Sequence, residues 1–222
     1  MSPQARLLLE DIYHDDPLFH DTSLDAIAIA ESLGLAGDDS FGLSRKDMRA
    51  ALKSARAAGD AAVLAGFAAR RLNEDSRIAA FSLGGWDTHR GQTRDISRAL
   101  GGLQDAILTL KADLGPHWER TAVVAVTEFG RTARENGTRG TDHGTGGAMI
   151  MAGGAIRGGR VYGDWPGLDE ASLYARRDLM PTTDVRSYIA WLMHGMYGLD
   201  TATLSSVVFP GLQLGRNPKL LL

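Results

Sequence analysis

A long amphipathic segment between two short apolar runs is the feature that most constrains the fold of this chain. The runs are residues 78–83 (IAAFSL) and 121–127 (TAVVAVT), and each has the length and composition of a buried strand. Between them, apolar residues recur at steps of four and three, as on one face of a helix: Ile96, Leu100, Leu103, Ile107, Leu110 and Leu114. Strand, helix and strand in this order predict a βαβ unit with parallel strands, and therefore an α/β fold.

The remaining chain divides into a helical part and a glycine-rich part. Residues 1–75 are alanine-rich and amphipathic, which predicts a helical segment that covers one side of the sheet. Residues 76–222 are expected to form the sheet core and the loops of a site, so that residues 1–222 make one domain. Further elements are predicted as helices at 5–13, 23–33, 45–58, 61–73 and 182–193, and as a strand at 148–152. Thr93 is expected to cap the long amphipathic helix and Gly115 with Pro116 to end it, and Thr182 is expected to cap the helix at 182–193.

Composition excludes several classes of function. The 24 basic and 27 acidic side chains give a net charge of −3 without a basic cluster, so there is no electrostatic basis for binding nucleic acid. No apolar run approaches the roughly 20 residues that span a bilayer. The chain has no cysteine, which excludes disulfides, thiolate metal sites and thiol nucleophiles.

Polar side chains follow each predicted strand. Ligands of open α/β sheets bind beyond the carboxyl ends of the strands, and those ends lead into GGWDTH and EFGRT. This places Asp87, His89, Glu128 and Arg131 at one edge of the sheet. A third polar loop, GTDHG, supplies Asp142 and His143. If His143 joins the same site, the run 148–152 leaves that edge and must be antiparallel to the first two strands.

Imidazole and carboxylate ligands together suit zinc, iron or manganese. Each residue also has a plainer interpretation: Asp87 as a turn former and His89 as a solvated loop histidine. Glu128 follows apolar strand residues, and if it is partly buried it needs a cation. Arg131 can be that structural partner, or it can bind an anionic substrate. Asn136 with Gly137 is most simply a turn.

Four sequence strings are specific in combination: GGWDTH, TEFGRT, NGTRGTDHG and GGAIRGGRVYG. In this order and spacing they resemble the bacterial family of domain of unknown function 1501, which is grouped with the alkaline-phosphatase and sulfatase superfamily. The resemblance implies a three-layer α/β/α sandwich with a mixed, mostly parallel sheet. It also implies metal-dependent hydrolysis of phosphate or sulfate esters, with a small anionic ester or a carbohydrate as the partner.

The resemblance also implies a set of metal ligands. Asp87 and His89 resemble the first ligand pair of the superfamily, and His143 resembles its late histidine. Glu128 stands where the superfamily has an aspartate, and Asp142 is expected to be a further ligand or to orient His143.

One departure from the superfamily pattern reduces the expected number of metals. Phe129 stands where the superfamily has a histidine, so a single divalent metal at Asp87, His89 and His143 is expected. Zinc is favoured, with manganese, calcium and iron as alternatives.

A further departure lies at the N-terminus. The superfamily nucleophile follows a first strand, whereas this chain begins with helices, so we expect the C-terminal part of a longer protein. Relatives often carry a twin-arginine export signal, which implies a periplasmic or exported location. Two hypotheses follow: a metal-binding, hydrolase-like domain that lacks its nucleophile strand, or a non-catalytic binding module on a degenerate fold of this type.

Overall fold

The computed structural model of the chain describes residues 60–222. The helices are α1 (Asp60–Asn73), α2 (Gln92–Leu114), α3 (Val185–Tyr197) and the single turn α4 (Thr201–Thr203), which continues into a π-helical turn at Leu204–Val208. The strands are β1 (Val123–Ala125), β2 (Gly130–Arg131), β3 (His143–Gly144) and β4 (Ile150–Ala152). The helices expected at 5–13, 23–33 and 45–58 lie outside the described residues.

Helices α1 and α2 pack against each other, and both were predicted from their periodicity. Alanines of α1 meet the end of the predicted α2 stripe in one apolar core, formed by Ala61, Ala65, Ala68, Ala69, Ala106, Leu110 and Leu114. The small alanine side chains let the two helices approach closely. The start of α2 differs from the prediction, because Gly91 with φ of 54° occupies the cap position expected for Thr93. The predicted end at Gly115 is confirmed.

Residues 78–83 do not form the predicted strand. Ile78 is 70% exposed and Phe81 is 37% exposed. A strand requires a neighbour that bonds its peptide groups. Among residues 60–222, no backbone hydrogen bond joins 78–83 to another segment. The predicted βαβ unit is therefore absent from this part of the chain.

The strands pair into two small antiparallel sheets. β1 pairs with β4, with Val123 opposite Ala152, and β2 pairs with β3, with Arg131 opposite His143. The antiparallel direction predicted for the run 148–152 is confirmed against β1, although only the centre of the run 121–127 is a strand. The described residues are thus a mixed, mostly helical α/β structure, and the expected parallel sandwich is not seen in them.

Helix α3 packs in a second apolar core, whose buried residues are Ala190, Leu204 and Leu212. Its N-terminal cap is Asp184, whose side chain accepts a hydrogen bond from the backbone N–H of Arg186 at 3.0 Å. The predicted cap, Thr182, lies two residues earlier. Within residues 60–222, no helix combines the length and the apolar character needed to cross a membrane.

Candidate metal centre

The β2–β3 ribbon places His143 beside Arg131, and glycine makes this close pairing feasible. A Cβ atom on Gly130 would overlap the carbonyl oxygen of Gly146, and one on Gly144 would lie 2.6 Å from the backbone carbon of Arg131. Real Cβ atoms essentially never approach backbone atoms this closely. The glycines around this ribbon therefore allow close contact between main chains, and this contact fixes the backbone position from which the His143 side chain extends.

The loop that carries Asp87 and His89 is bonded to the segment before β3. Thr141 donates its N–H to the carbonyl of Thr88 at 3.2 Å, and Gln92 donates its N–H to the carbonyl of Arg139 at 2.8 Å. Gly140 sits directly on the His89 carbonyl, where a Cβ would overlap it. These backbone contacts hold together two segments that lie about 50 residues apart in the sequence.

Asp87, His89 and His143 form a compact group, which we call the Asp/His cluster. Each offers one ligand atom, and these atoms all lie within 4.8 Å of one another. Nε2 of His143 is 2.9 Å from Oδ1 of Asp87, and Nε2 of His89 is 3.0 Å from the same oxygen. The three side chains are about half exposed, so a solvated cation has access to them. Two imidazole nitrogens and one carboxylate oxygen can hold a metal ion.

Arg131 lies behind the cluster. Its Nη1 donates to Asp87 Oδ1, and its Nε donates to the hydroxyl of Thr141 at 2.9 Å. Its Nη2 donates to the Thr141 carbonyl. The hydrogen bond from Arg131, followed by that from His143, holds the pKa of Asp87 below its usual value, so this carboxylate is ionised at neutral pH. Three N–H groups of Arg131 are therefore directed at the protein itself.

Asp142 contacts His89, whereas it was expected to be a further metal ligand or to orient His143. Its Oδ1 is 3.2 Å from His89 Nδ1 and accepts a hydrogen bond from Asn136 Nδ2 at 3.0 Å. The hydrogen bonds from Asn136 and then from His89 lower the pKa of Asp142. A carboxylate on the outer imidazole nitrogen fixes the orientation of the ring and leaves Nε2 facing the cluster.

The neighbouring residues Glu128 and Phe129 differ in how they relate to the Asp/His cluster. Glu128 is exposed, so the condition of partial burial, under which it would need a cation, is not met; it also lies outside the group of three ligand atoms. Phe129 instead packs on the cluster: its ring stacks on the His143 imidazole with centroids 3.9 Å apart and an interplanar angle of 19°. This aromatic contact limits the rotation of the imidazole.

Asn136 is a residue of the site that the sequence analysis assigned only to a turn. Its amide nitrogen donates to the His89 carbonyl at 3.1 Å as well as to Asp142. Its amide oxygen accepts the N–H groups of Thr138 and Gly140 at 2.9 and 3.1 Å. The turn signal was correct, but only the distant partners reveal that Asn136 joins the two loops of the site.

Comparison with known proteins places this chain in a family. No curated protein and no solved structure matches it. The family model described as "Protein of unknown function (DUF1501)" matches residues 30–204, which is most of the chain and includes the whole Asp/His cluster. The chain therefore belongs to the DUF1501 family.

Proposed function

We propose that this chain binds one divalent metal ion through Asp87, His89 and His143. The observation that supports this is the convergence of three ligand atoms within 4.8 Å. Catalytic zinc sites use three protein ligands of this kind and leave the fourth position open for water or substrate. Two histidines with one carboxylate also suit ferrous iron, and manganese accepts the same mixture. Zinc is the favoured metal.

The surroundings of the cluster support a binding site for a cation. Asp87 is kept ionised by its hydrogen-bond donors, so it offers a negative charge at neutral pH. Asp142 supports His89 from behind, and Phe129 supports His143 from its face. Ligands that are already oriented lose little conformational entropy when the metal binds.

The proposed chemistry is hydrolysis of a small phosphate or sulfate ester. A divalent cation polarises the ester oxygen and stabilises the charge that develops on it. Thr88 and Thr127, two threonines near the site, both donate hydrogen bonds: Thr88 to Gln92 Oε1 at 3.0 Å, and Thr127 to the Phe129 carbonyl at 2.8 Å. Neither is a free nucleophile, so this chain alone is expected to bind metal with little turnover.

Metal content tests the proposal directly. The purified chain is loaded separately with zinc, manganese, calcium and iron, desalted and measured by plasma mass spectrometry. We expect near-stoichiometric metal in the wild type and none in the double variant D87A/H89A. The matched control D105A/H117A removes one exposed aspartate and one exposed histidine elsewhere, and it should retain the metal. No bound metal in the wild type with any of the four ions would overturn the proposal.

A non-catalytic binding module for carbohydrate or cell-surface partners is the second candidate. The observation that favours it is the hydrogen bond from Arg131 to Asp87, because a guanidinium already gives this carboxylate a cationic partner. In this function the cluster joins two loops without metal. Replacing Asp87, His89 or His143 would then leave metal content unchanged. Turnover of phosphate or sulfate esters with added zinc or manganese would argue against it.

A further inference from the structure

Residues 174–178 form a tight turn with an unusual backbone. Tyr174 and Asp178 exchange backbone hydrogen bonds at 2.9 and 3.0 Å. The two residues between them that start the turn, Ala175 and Arg176, have φ of 50° and 56°. Residues with a Cβ rarely adopt this left-handed region, and a turn that needs it twice normally contains glycine or asparagine. Strain of this kind persists where the surrounding structure determines the backbone.

The turn extends the ribbon that carries His143. Asp178 bridges Thr132 next to β2, and Ala133 donates its N–H to the Arg177 carbonyl at 3.1 Å. One residue further, the carbonyl of Leu179 accepts the N–H of Gly146 at 3.0 Å. The segment is therefore bonded both to the residues that follow β2 and to those that follow β3.

Two side chains of this segment form an ion pair that reaches the cluster. Asp178 is only 5% exposed, and its Oδ1 accepts a hydrogen bond from Arg177 Nη1 at 3.0 Å. A buried carboxylate is costly unless it is paired, so Asp178 holds the guanidinium in place. The other terminal nitrogen, Nη2, donates to the main-chain carbonyl of His143 at 3.2 Å. The pair thus fastens the backbone of one cluster residue.

We propose that Arg177, held by Asp178, is a positioning residue for the Asp/His cluster. The inference rests on the proposed metal site and adds to it a residue that acts only through His143. The hydrogen bond from Arg177 to the His143 carbonyl fixes the position of the His143 backbone in the β2–β3 ribbon. The stacked ring of Phe129 fixes the plane of the His143 imidazole. Together they keep Nε2 of His143 at hydrogen-bond distance from Asp87 Oδ1.

Titration of the full chain with Co(II) tests this inference, because the visible spectrum of Co(II) reports on ligand geometry. We expect R177M to bind Co(II) roughly tenfold more weakly than the wild type and to show an altered absorption spectrum. R177K should recover part of the affinity, since an ammonium group can reach one of the two acceptors. D178N should resemble R177M. The control R176M removes the exposed neighbouring arginine and should match the wild type.

The possible outcomes distinguish a failure of the proposed metal site from a failure of the positioning role of Arg177. A wild type that binds neither Co(II) nor zinc overturns both the metal site and the positioning role. Wild-type affinity and spectrum in R177M overturn the positioning role alone. Thermal melting of the metal-free proteins checks the fold. A loss of affinity that occurs only together with unfolding, in both R177M and R177K, also overturns the positioning role.

Discussion

The α1–α2 pair and the loops of the Asp/His cluster are stabilised by different interactions. The helix pair has an apolar core of alanines and leucines that lies on a regular helical period. The loops are joined by polar contacts between distant residues, such as Asn136 to the His89 carbonyl and Arg131 to Asp87. Burial of apolar area tolerates small shifts, whereas hydrogen bonds need defined distances and angles. The two regions should therefore respond differently to substitution and to pH.

The largest effect is expected in the helix pair. Leu110 is 5% exposed in its core, and L110A should lower the free energy of unfolding by about 3 kcal/mol because it leaves a cavity. The control L108A removes the same side chain from the same helix where it is 53% exposed, and its effect should stay within about 0.5 kcal/mol. Urea denaturation of both variants measures the difference. Equal losses would mean that the core of the pair is not where the structure places it.

For the loops of the Asp/His cluster, the corresponding test is a change of pH. Metal binding requires both imidazoles to be neutral, so the affinity for metal depends on pH. Asp87 stays ionised in the range of this test, because its pKa is lowered. Affinity for zinc should therefore weaken as the pH falls from 7.5 to 5.5, because protons compete with the metal for its nitrogen ligands. Apparent dissociation constants measured across this range show how many protons compete with the metal. A flat profile would exclude the two histidines as ligands.

The sequence anticipates the two regions to different degrees. Periodicity predicts α2, because apolar residues recur with the helical turn, and Gly115 followed by Pro116 predicts its end. Residues 78–83 have the composition of a buried strand, but composition does not supply the neighbouring strand, and the segment stays unpaired among the described residues. The prediction of a parallel pair fails for that reason.

The candidate site likewise contains residues that the sequence predicts and residues that it does not. Asp87, His89 and His143 are anticipated because their chemistry is visible in the local strings GGWDTH and GTDHG. The partners that orient them are not, because their contacts link residues far apart in the chain: Asn136 with His89, and Arg177 with His143. Nothing in the local sequence around Arg177 indicates that its guanidinium reaches a carbonyl 34 residues away.

A methyl group at Gly140 would test how rigid the loop region is. Its Cβ would overlap the His89 carbonyl, so G140A should destabilise the protein by about 2 kcal/mol and weaken metal binding at the same time. Gly137 lies in the same turn with open space around its would-be Cβ, and G137A should be neutral or slightly stabilising. Thermal melting and zinc titration of the two variants measure both effects. If G140A binds zinc like the wild type, the loop contact does not position His89.

The smallest effect concerns the N-terminal cap of α3, a polar contact within a helix. Asp184 caps α3, and D184A should cost about 1 kcal/mol in free energy of unfolding. T182A, at the cap position that the sequence suggested, should cost almost nothing.

The pH dependence of this contact has a defined sign. Hydrogen bonds from the Arg186 side chain, and then from its backbone N–H, lower the pKa of Asp184 in the folded protein. The stabilisation is therefore complete above the unfolded value of about 4 and is lost as the pH falls through the folded value. D184N keeps a side-chain oxygen for the Arg186 N–H, so it should retain most of the capping energy while losing this pH dependence. Urea denaturation at pH 7 and pH 3.5 separates the two contributions. An equal loss in D184N and D184A at pH 7 would show that the charge, and not the cap hydrogen bond, stabilises the start of α3.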